Sequence, residues 1–312
     1  MSQKILLLGA NGQIGTELVE NLRLKLGNEN IISSDINHAK TNNGPHEIID
    51  VLDKEAIEST IDKYKITQVY QLAALLSATG EKKPKLAWDV NMNGLLNVLE
   101  LAVKHKIEKV FWPSSIAAFG PTTPRHNTPQ DCIMDPETIY GITKQAGERW
   151  CAYYHKKFGL DVRSIRYPGI LSHKTLPGGG TTDYAIDIFI EAQNKGSYDC
   201  FLTADTFLPM MFMDDAVANT LQLMEADSNK LTVRSSYNLG GVSFSPATLT
   251  KEIQKHLPEF TINYAPDFRQ QIADTWPASI DDTVAKKDWN CTYEFTIEKI
   301  VKVMLEAFKK RN

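Results

Sequence analysis

Short apolar runs alternate with amphipathic stretches through the first half of the chain. Residues 4–9 (KILLLG) are apolar without a break, the mark of a strand buried on both faces. Residues 13–26 then carry helical spacing. Residues 30–35, 46–50 and 68–73 read as further strands, with a helix over 53–64. The pattern predicts a long helix over about 85–104, a fifth strand over 109–115, a second long helix over about 137–158 and a sixth strand over 161–168. Strand and helix in repeated alternation imply a parallel sheet covered on both faces. Right-handed crossovers make this a doubly wound α/β (Rossmann) fold, with ligands outside the carboxyl ends of its strands.

The rhythm changes after Pro168, where loops lengthen and Pro and Gly cluster. Residues 1–170 are assigned to a dinucleotide-binding domain, and 212–240 return to it through a helix over 212–224, capped at Asp214 or Asp215. Residues 171–211 and 241–312 are assigned to a smaller, interleaved substrate lobe, closed by an amphipathic helix over 296–310. No internal repeat or low-complexity segment interrupts the chain.

Composition narrows the function classes. A chain of 312 residues, 42% hydrophobic and 23% charged, affords a sizeable core. The net charge of −4 and the lack of a basic run argue against nucleic acid and anionic membrane surfaces as partners. No apolar run approaches the roughly 18 residues of a membrane span. The four cysteines, Cys132, Cys151, Cys200 and Cys291, form no C-x-x-C pair or zinc spacing and read as reduced thiols. The scattered histidines show no metal-ligand spacing, so no metal is expected. These features point to the cytoplasm.

GANGQIG sets Gly9, Gly12 and Gly15 between the first strand and the first helix. Gly9 permits the tight turn, Gly12 lets the backbone approach a pyrophosphate, and Gly15 lets helix and sheet pack closely. Asn11, Gln13 and Ile14 lie among them, where free N–H groups at a helix start attract phosphate. Asp35 closes the second strand, placed to bind ribose hydroxyls and repel a 2′-phosphate. No Arg follows it closely, only His38 and Lys40, so NAD is expected over NADP. In DVLD, Asp50 and Val51 are placed to flank the adenine, although Asp50 reads equally well as a helix cap.

YGITK sets Tyr140 and Lys144 one helical turn apart on one face. PSS, containing Ser114 and Ser115, ends the fifth strand, where ligands bind. The glycine motif, the Ser at that strand end and Tyr-x-x-x-Lys together resemble the extended short-chain dehydrogenase/reductase family, which includes nucleotide-sugar epimerases and dehydratases. The resemblance spans nearly the whole chain, including FMDDAVANTL. It implies that Tyr140 takes the substrate hydroxyl proton. Lys144 would acidify the phenol and hold the nicotinamide ribose, while a serine positions the substrate oxygen. Alignment with the family pattern favours Ser115 for that role and sets Ser114 nearer the cofactor. It also places Leu72, Ala73 and Ala74 against the ribose, puts Tyr167, Gly169 and Ile170 of RYPGI beside the nicotinamide, and adds Asn91 to the cofactor set. Ser77 points towards the substrate, or is a plain loop serine.

Gly169 departs from the nucleotide-sugar members, which read Arg-Tyr-Phe-Asn where this chain has Arg-Tyr-Pro-Gly. WPSSIAAFG, RYPG and PGGGTTDYA instead resemble the short-chain type of L-threonine 3-dehydrogenase. This implies oxidation of L-threonine by NAD to 2-amino-3-oxobutyrate, which loses carbon dioxide or passes to a ligase that makes glycine. Asp183 would meet the substrate ammonium. Gly178, Gly179, Gly180, Thr181 and Thr182 would meet its carboxylate, and Tyr140 with Ser115 its hydroxyl. Without the resemblance, Asp183 reads as the cap of a helix starting near Tyr184. Two other readings stand beside this one. The first is a nucleotide-sugar epimerase or dehydratase holding NAD tightly; the second is a non-catalytic NAD-binding scaffold, disfavoured because Tyr140, Lys144 and Ser115 are all present. A homodimer through the two long helices is expected from the family.

Overall fold

The computed structural model describes residues 3–39, 43–174 and 178–309. Lys40, and the residues Leu176 and Pro177 that lead into the glycine loop, lie outside them. Strands β1 (Ile5–Leu8), β2 (Ile31–Asp35), β3 (His46–Ile48), β4 (Gln68–Gln71), β5 (Lys109–Ser115) and β6 (Val162–Tyr167) form a parallel sheet. β7 (Gly169–Leu171), β8 (Ser197–Cys200) and β9 (Leu208–Phe212) follow outside it, and β10 (Tyr237–Asn238) returns to its edge. The order is β10-β6-β5-β4-β1-β2-β3, so the chain reverses direction between β1 and β4. A doubly wound sheet opens its ligand crevice at that point.

β1 explains its own unbroken apolar run. Ile5 and Leu7 pack on one face with Leu18, Leu22 and Val217, from helices α1 (Gln13–Leu26) and α8 (Met213–Glu225). Leu6 and Leu8 pack on the other face with Ile57, Val98 and Tyr154. Those residues come from α2 (Lys54–Tyr64), α5 (Gly94–Lys104) and α6 (Ile139–Phe158). All four strand residues are buried. A third core, including Tyr184, Phe201, Phe244 and Met304, fills the C-terminal half. It gathers α7 (Tyr184–Lys195), α9 (Pro246–Gln254), α12 (Ile297–Phe308), β11 (Val242–Phe244) and β12 (Thr261–Tyr264). β11, β9 and β7 form one small sheet, and β12 with β8 another.

Several local expectations change. Ser77 is no loop serine but opens the short helix α3 (Ser77–Lys82). The helix expected over 85–104 starts at α4 (Pro84–Trp88) and passes through a π turn, Asp89–Asn93, before α5. That wider turn buries Asn91, which binds the backbone of Leu75. α6 starts at Ile139, two residues later than expected, because the Thr138 hydroxyl accepts from Gly141 N–H. α8 starts at Met213 without a side-chain cap. The Asp215 carboxylate instead accepts the N–H groups of Glu294 and Phe295. The helices α10 (Phe268–Asp274) and α11 (Thr283–Trp289) lie within residues 241–312, assigned above to the substrate lobe. Among the described residues, no helix is long and apolar enough to cross a membrane.

Candidate active site

A cleft of about 400 Å³ opens at the carboxyl ends of β1, β4, β5 and β6. Its dinucleotide end is built by backbone crowding. Gly9 has φ +84°, and a Cβ there would lie 2.6 Å from Ala73 N. A Cβ on Gly15 would lie 2.3 Å from Gly9 O, so α1 reaches the turn only because Gly15 is bare. Gly12 caps α1 with no side-chain bond and no acid follows in the first turn, so the positive helix end faces the cleft. Asn11, Gln13 and Ile14 line it as well. Asp35 is fixed at the edge of this turn. Its Oδ2 accepts from Asn11 N–H at 3.1 Å and its Oδ1 from Asn37 N–H at 3.2 Å. A bare helix start with a fixed carboxylate beside it fits the pyrophosphate and ribose of NAD.

Five residues of the expected cofactor set do not line the cleft: Asp35, Asp50, Val51, Ala73 and Asn91. Asp50 is exposed and accepts from Leu52 N–H at 2.9 Å, while the cap of α2 is Asp53, which accepts from Ala56 N–H. Val51 is buried under Gly94, where a Cβ would lie 2.8 Å from it. Ala73 lies behind Gly9. Asn91 donates to Leu75 O and Thr143 Oγ1, both at 3.1 Å, so it shapes the loop carrying Leu72 and Ala74, which do line the cleft.

At the middle of the cleft, α6 presents Tyr140 and Lys144 together, and β5 ends beside them in Ser115. Lys144 Nζ donates to Pro113 O at 2.6 Å and lies 4.6 Å from the Trp112 ring centroid. Burial brings the ammonium down to about 7, opposed by Cys151 and Glu148. Burial pushes the Tyr140 phenol up to about 12, and a hydrogen bond with Ser115 lowers it. Alternation along β5 separates the two serines. Ser114 is buried and donates to Glu148 Oε1 at 2.6 Å. The Tyr167 hydroxyl bonds Thr220, leaving the rest of the residue to line the cleft with Ile170. Gly169 is close-packed: a Cβ there would lie 2.5 Å from Met210 Sδ and 2.6 Å from Thr182 Cγ2.

The remaining end is the glycine loop. Asp183 stands at the N-cap position of α7, but its carboxylate does not cap the helix. Its Oδ2 turns back to accept from Gly179 N–H at 2.9 Å and Gly180 N–H at 2.6 Å. Gly179 has φ +91°, which a side chain rarely tolerates, and a Cβ on Gly180 would lie 2.9 Å from Asp183 Oδ1. Burial raises the Asp183 carboxyl, tempered by those two amides. One turn on, burial and the charge of Asp183 raise Asp187 to about 6. Thr181 is 1% exposed and its hydroxyl has no partner among the described residues, although it borders the cleft. Ser77, Gly180, Thr182 and Asp183 line the same end. So do Leu76, Ile116 and Trp276, which the sequence reading missed. Trp276 comes from the far C-terminal half in an irregular segment, and no local pattern marks it.

The whole architecture has close counterparts. Residues 5–240 match the NAD dependent epimerase/dehydratase family. An uncharacterized epimerase/dehydratase of Staphylococcus haemolyticus is 46% identical, over 99% of this chain and 98% of its own length. Among solved structures, a partial consensus L-threonine 3-dehydrogenase is 54% identical with TM-score 0.95, covering 98% of this chain and 99% of that one. The holo form of an L-threonine dehydrogenase from Cupriavidus necator is 53% identical with TM-score 0.96, covering 98% and 100%. Matched over most of its length by the family and by these structures, the chain belongs to the NAD dependent epimerase/dehydratase family and takes NAD as its cofactor.

Proposed function

We propose that this enzyme oxidises the 3-hydroxyl of L-threonine to L-2-amino-3-oxobutyrate in the cytoplasm, with Tyr140 as base. Bound NAD supplies the hydride acceptor. Tyr140 takes the hydroxyl proton, Lys144 offsets the negative charge on the phenolate, and Ser115 holds the substrate oxygen. The observation that carries the reading is the buried, unpartnered Thr181 hydroxyl beside Asp183 at the end of the cleft. A buried hydroxyl without a partner costs roughly 1–3 kcal/mol, and a substrate carboxylate would relieve that cost. Asp183 offers the matching charge for an ammonium. The two threonine dehydrogenases above support the same substrate.

The nucleotide-sugar alternative is disfavoured at Gly169. An Asn side chain there would run into Met210 and Thr182. NADH absorbance separates the readings. The purified protein with NAD should form NADH with L-threonine, and little with D-threonine, L-serine or a nucleotide sugar. No NADH with any amino acid, together with NAD released only on denaturation, would instead favour an epimerase, which returns its hydride.

We infer further that the enzyme is a homodimer. α6 leaves Ile142, Trp150 and Tyr153 exposed in a helical stripe, and Leu86 and Trp88 are exposed on the neighbouring α4. So many exposed large apolar groups on adjacent helices suit a mate of the same kind. Sedimentation should give twice the 35.0 kDa chain mass, and Trp150→Glu should yield monomers. A wild-type protein sedimenting at the single-chain mass would end this reading.

A further inference from the structure

An ion pair lies buried directly behind the catalytic residues. Glu148 is 0% exposed and sits one helical turn beyond Lys144 on α6. Arg166 of β6, 3% exposed, grips it with two bonds: Nε to Oε1 at 2.9 Å and Nη2 to Oε2 at 2.8 Å. The rest of the guanidinium turns away, with Nη1 donating to Gln130 O and Asn238 Oδ1 at 2.9 Å each. Oε1 of Glu148 also accepts a hydrogen bond from the Ser114 hydroxyl.

Such a pair is a poor device for stability. Desolvating two charges offsets most of their attraction, and apolar residues of similar volume commonly serve as well. Its placement is more telling. Lys144 must hold a positive charge in the interior with one carbonyl partner and two aromatic rings around it. The groups that oppose its neutralisation are Cys151 and Glu148. Burial pushes the Cys151 thiol far up, so it is uncharged near neutrality and Glu148 is the anion that acts. The charge of Arg166 lies beyond Glu148, where Asp131 and Cys132 also face it. From β5, Ser114 and Ser115 present only hydroxyls. The helices packed on α6 carry Glu81, Lys82, Lys85, Glu100 and Lys104 at exposed positions, and Asp89 is half-buried and bound by Asn93.

We propose that Glu148 is a positioning residue of the catalytic centre. Fixed by Arg166, it keeps the Lys144 ammonium charged and points the Ser114 proton away from the cleft, leaving Ser114 an acceptor towards it. This rests on the Tyr140–Lys144 reading above.

Glu148→Gln removes the charge and keeps the shape. Lys144 then loses its proton at lower pH, and the unpaired Arg166 adds to that loss. The working form needs a charged Lys144 together with an ionised Tyr140, so in the variant that form is lost at lower pH, where Lys144 gives up its proton. The alkaline limb of kcat should therefore move to lower pH by about one unit, lowering turnover about tenfold on that limb. KM for NAD should change little, and Glu148→Asp should restore the wild-type limb. Glu148→Met with Arg166→Met leaves no unpaired charge; it should fold, checked by circular dichroism, and show the alkaline limb moved to lower pH in the same way. An unmoved limb in this double variant, or a uniform fall in kcat at every pH, would reduce the pair to a structural role. Tyr140→Phe is run alongside. If it abolishes turnover while the Glu148 variants keep the wild-type limb, the present inference alone fails. If it retains turnover, the Tyr140–Lys144 reading fails first.

Discussion

Replacing Tyr140 by Phe should lower kcat by about 10²–10⁴-fold while leaving the fold and NAD affinity nearly unchanged. Phe keeps the ring, which packs against the C-terminal core, and loses only the hydroxyl. In rate terms this is roughly 3–5 kcal/mol of barrier. The size of the effect follows from the surroundings. The phenol stands at about 12 when burial alone acts on it with the Ser115 bond, so little phenolate exists near neutrality until positive charge lies alongside. In the proposed mechanism Lys144 supplies that charge; it lies 5.4 Å from the Tyr140 ring on the same helix face. Removing the hydroxyl leaves no group on that face able to take the substrate proton. The check is single-turnover NADH formation, with NAD binding measured separately by protein fluorescence. Turnover within tenfold of wild type would remove Tyr140 as the base.

The parts of this enzyme legible in the sequence are those fixed by local rules. Gly9 and Gly15 could be read because the steric demands of a strand–turn–helix act within a few residues, and the structure places their missing side chains against Ala73 N and Gly9 O. The helical spacing of Tyr140 and Lys144 is equally local. The parts not legible depend on distant contacts. Asn91 reads as an ordinary helix residue until the π turn lets it bind Leu75. Asp50 and Asp53 both suit a cap, and only the backbone geometry selects Asp53. Trp276 meets the cleft across the fold, from a segment whose only local feature is a following Pro. Asp183 has the sequence position of a helix cap, yet its carboxylate folds back onto the glycines before it. That last departure makes the glycine loop a tied turn, with two amide bonds to one carboxylate oxygen.

The tie complicates the reading of Asp183 and suggests how to test it. Asp183→Asn keeps an oxygen acceptor for the Gly179 and Gly180 amides and removes the charge. Asp183→Ala removes both. If the carboxylate meets the substrate ammonium, both variants should raise KM for L-threonine by about 30-fold or more, the cost of roughly 2 kcal/mol or above for breaking a desolvated charge pair. NAD affinity should stay within about twofold, because the glycine turn proposed to hold the dinucleotide is built from β1 and α1, apart from the loop before α7. The pH dependence has a defined sign. Asp183 is raised by burial and Asp187 stands at about 6, so both gain their charge at higher pH than a free carboxylate. The substrate ammonium is therefore held best where Asp183 is charged, and KM rises as pH falls and the carboxylate takes up its proton. In Asp183→Asn that rise should flatten, since Asp187 loses the neighbour whose charge helps raise it. The opposite pattern is equally informative. A near-normal KM in Asp183→Asn with a high KM in Asp183→Ala would show that the oxygen matters and the charge does not. Asp183 would then be the tie of the glycine loop, and the ammonium would need another partner.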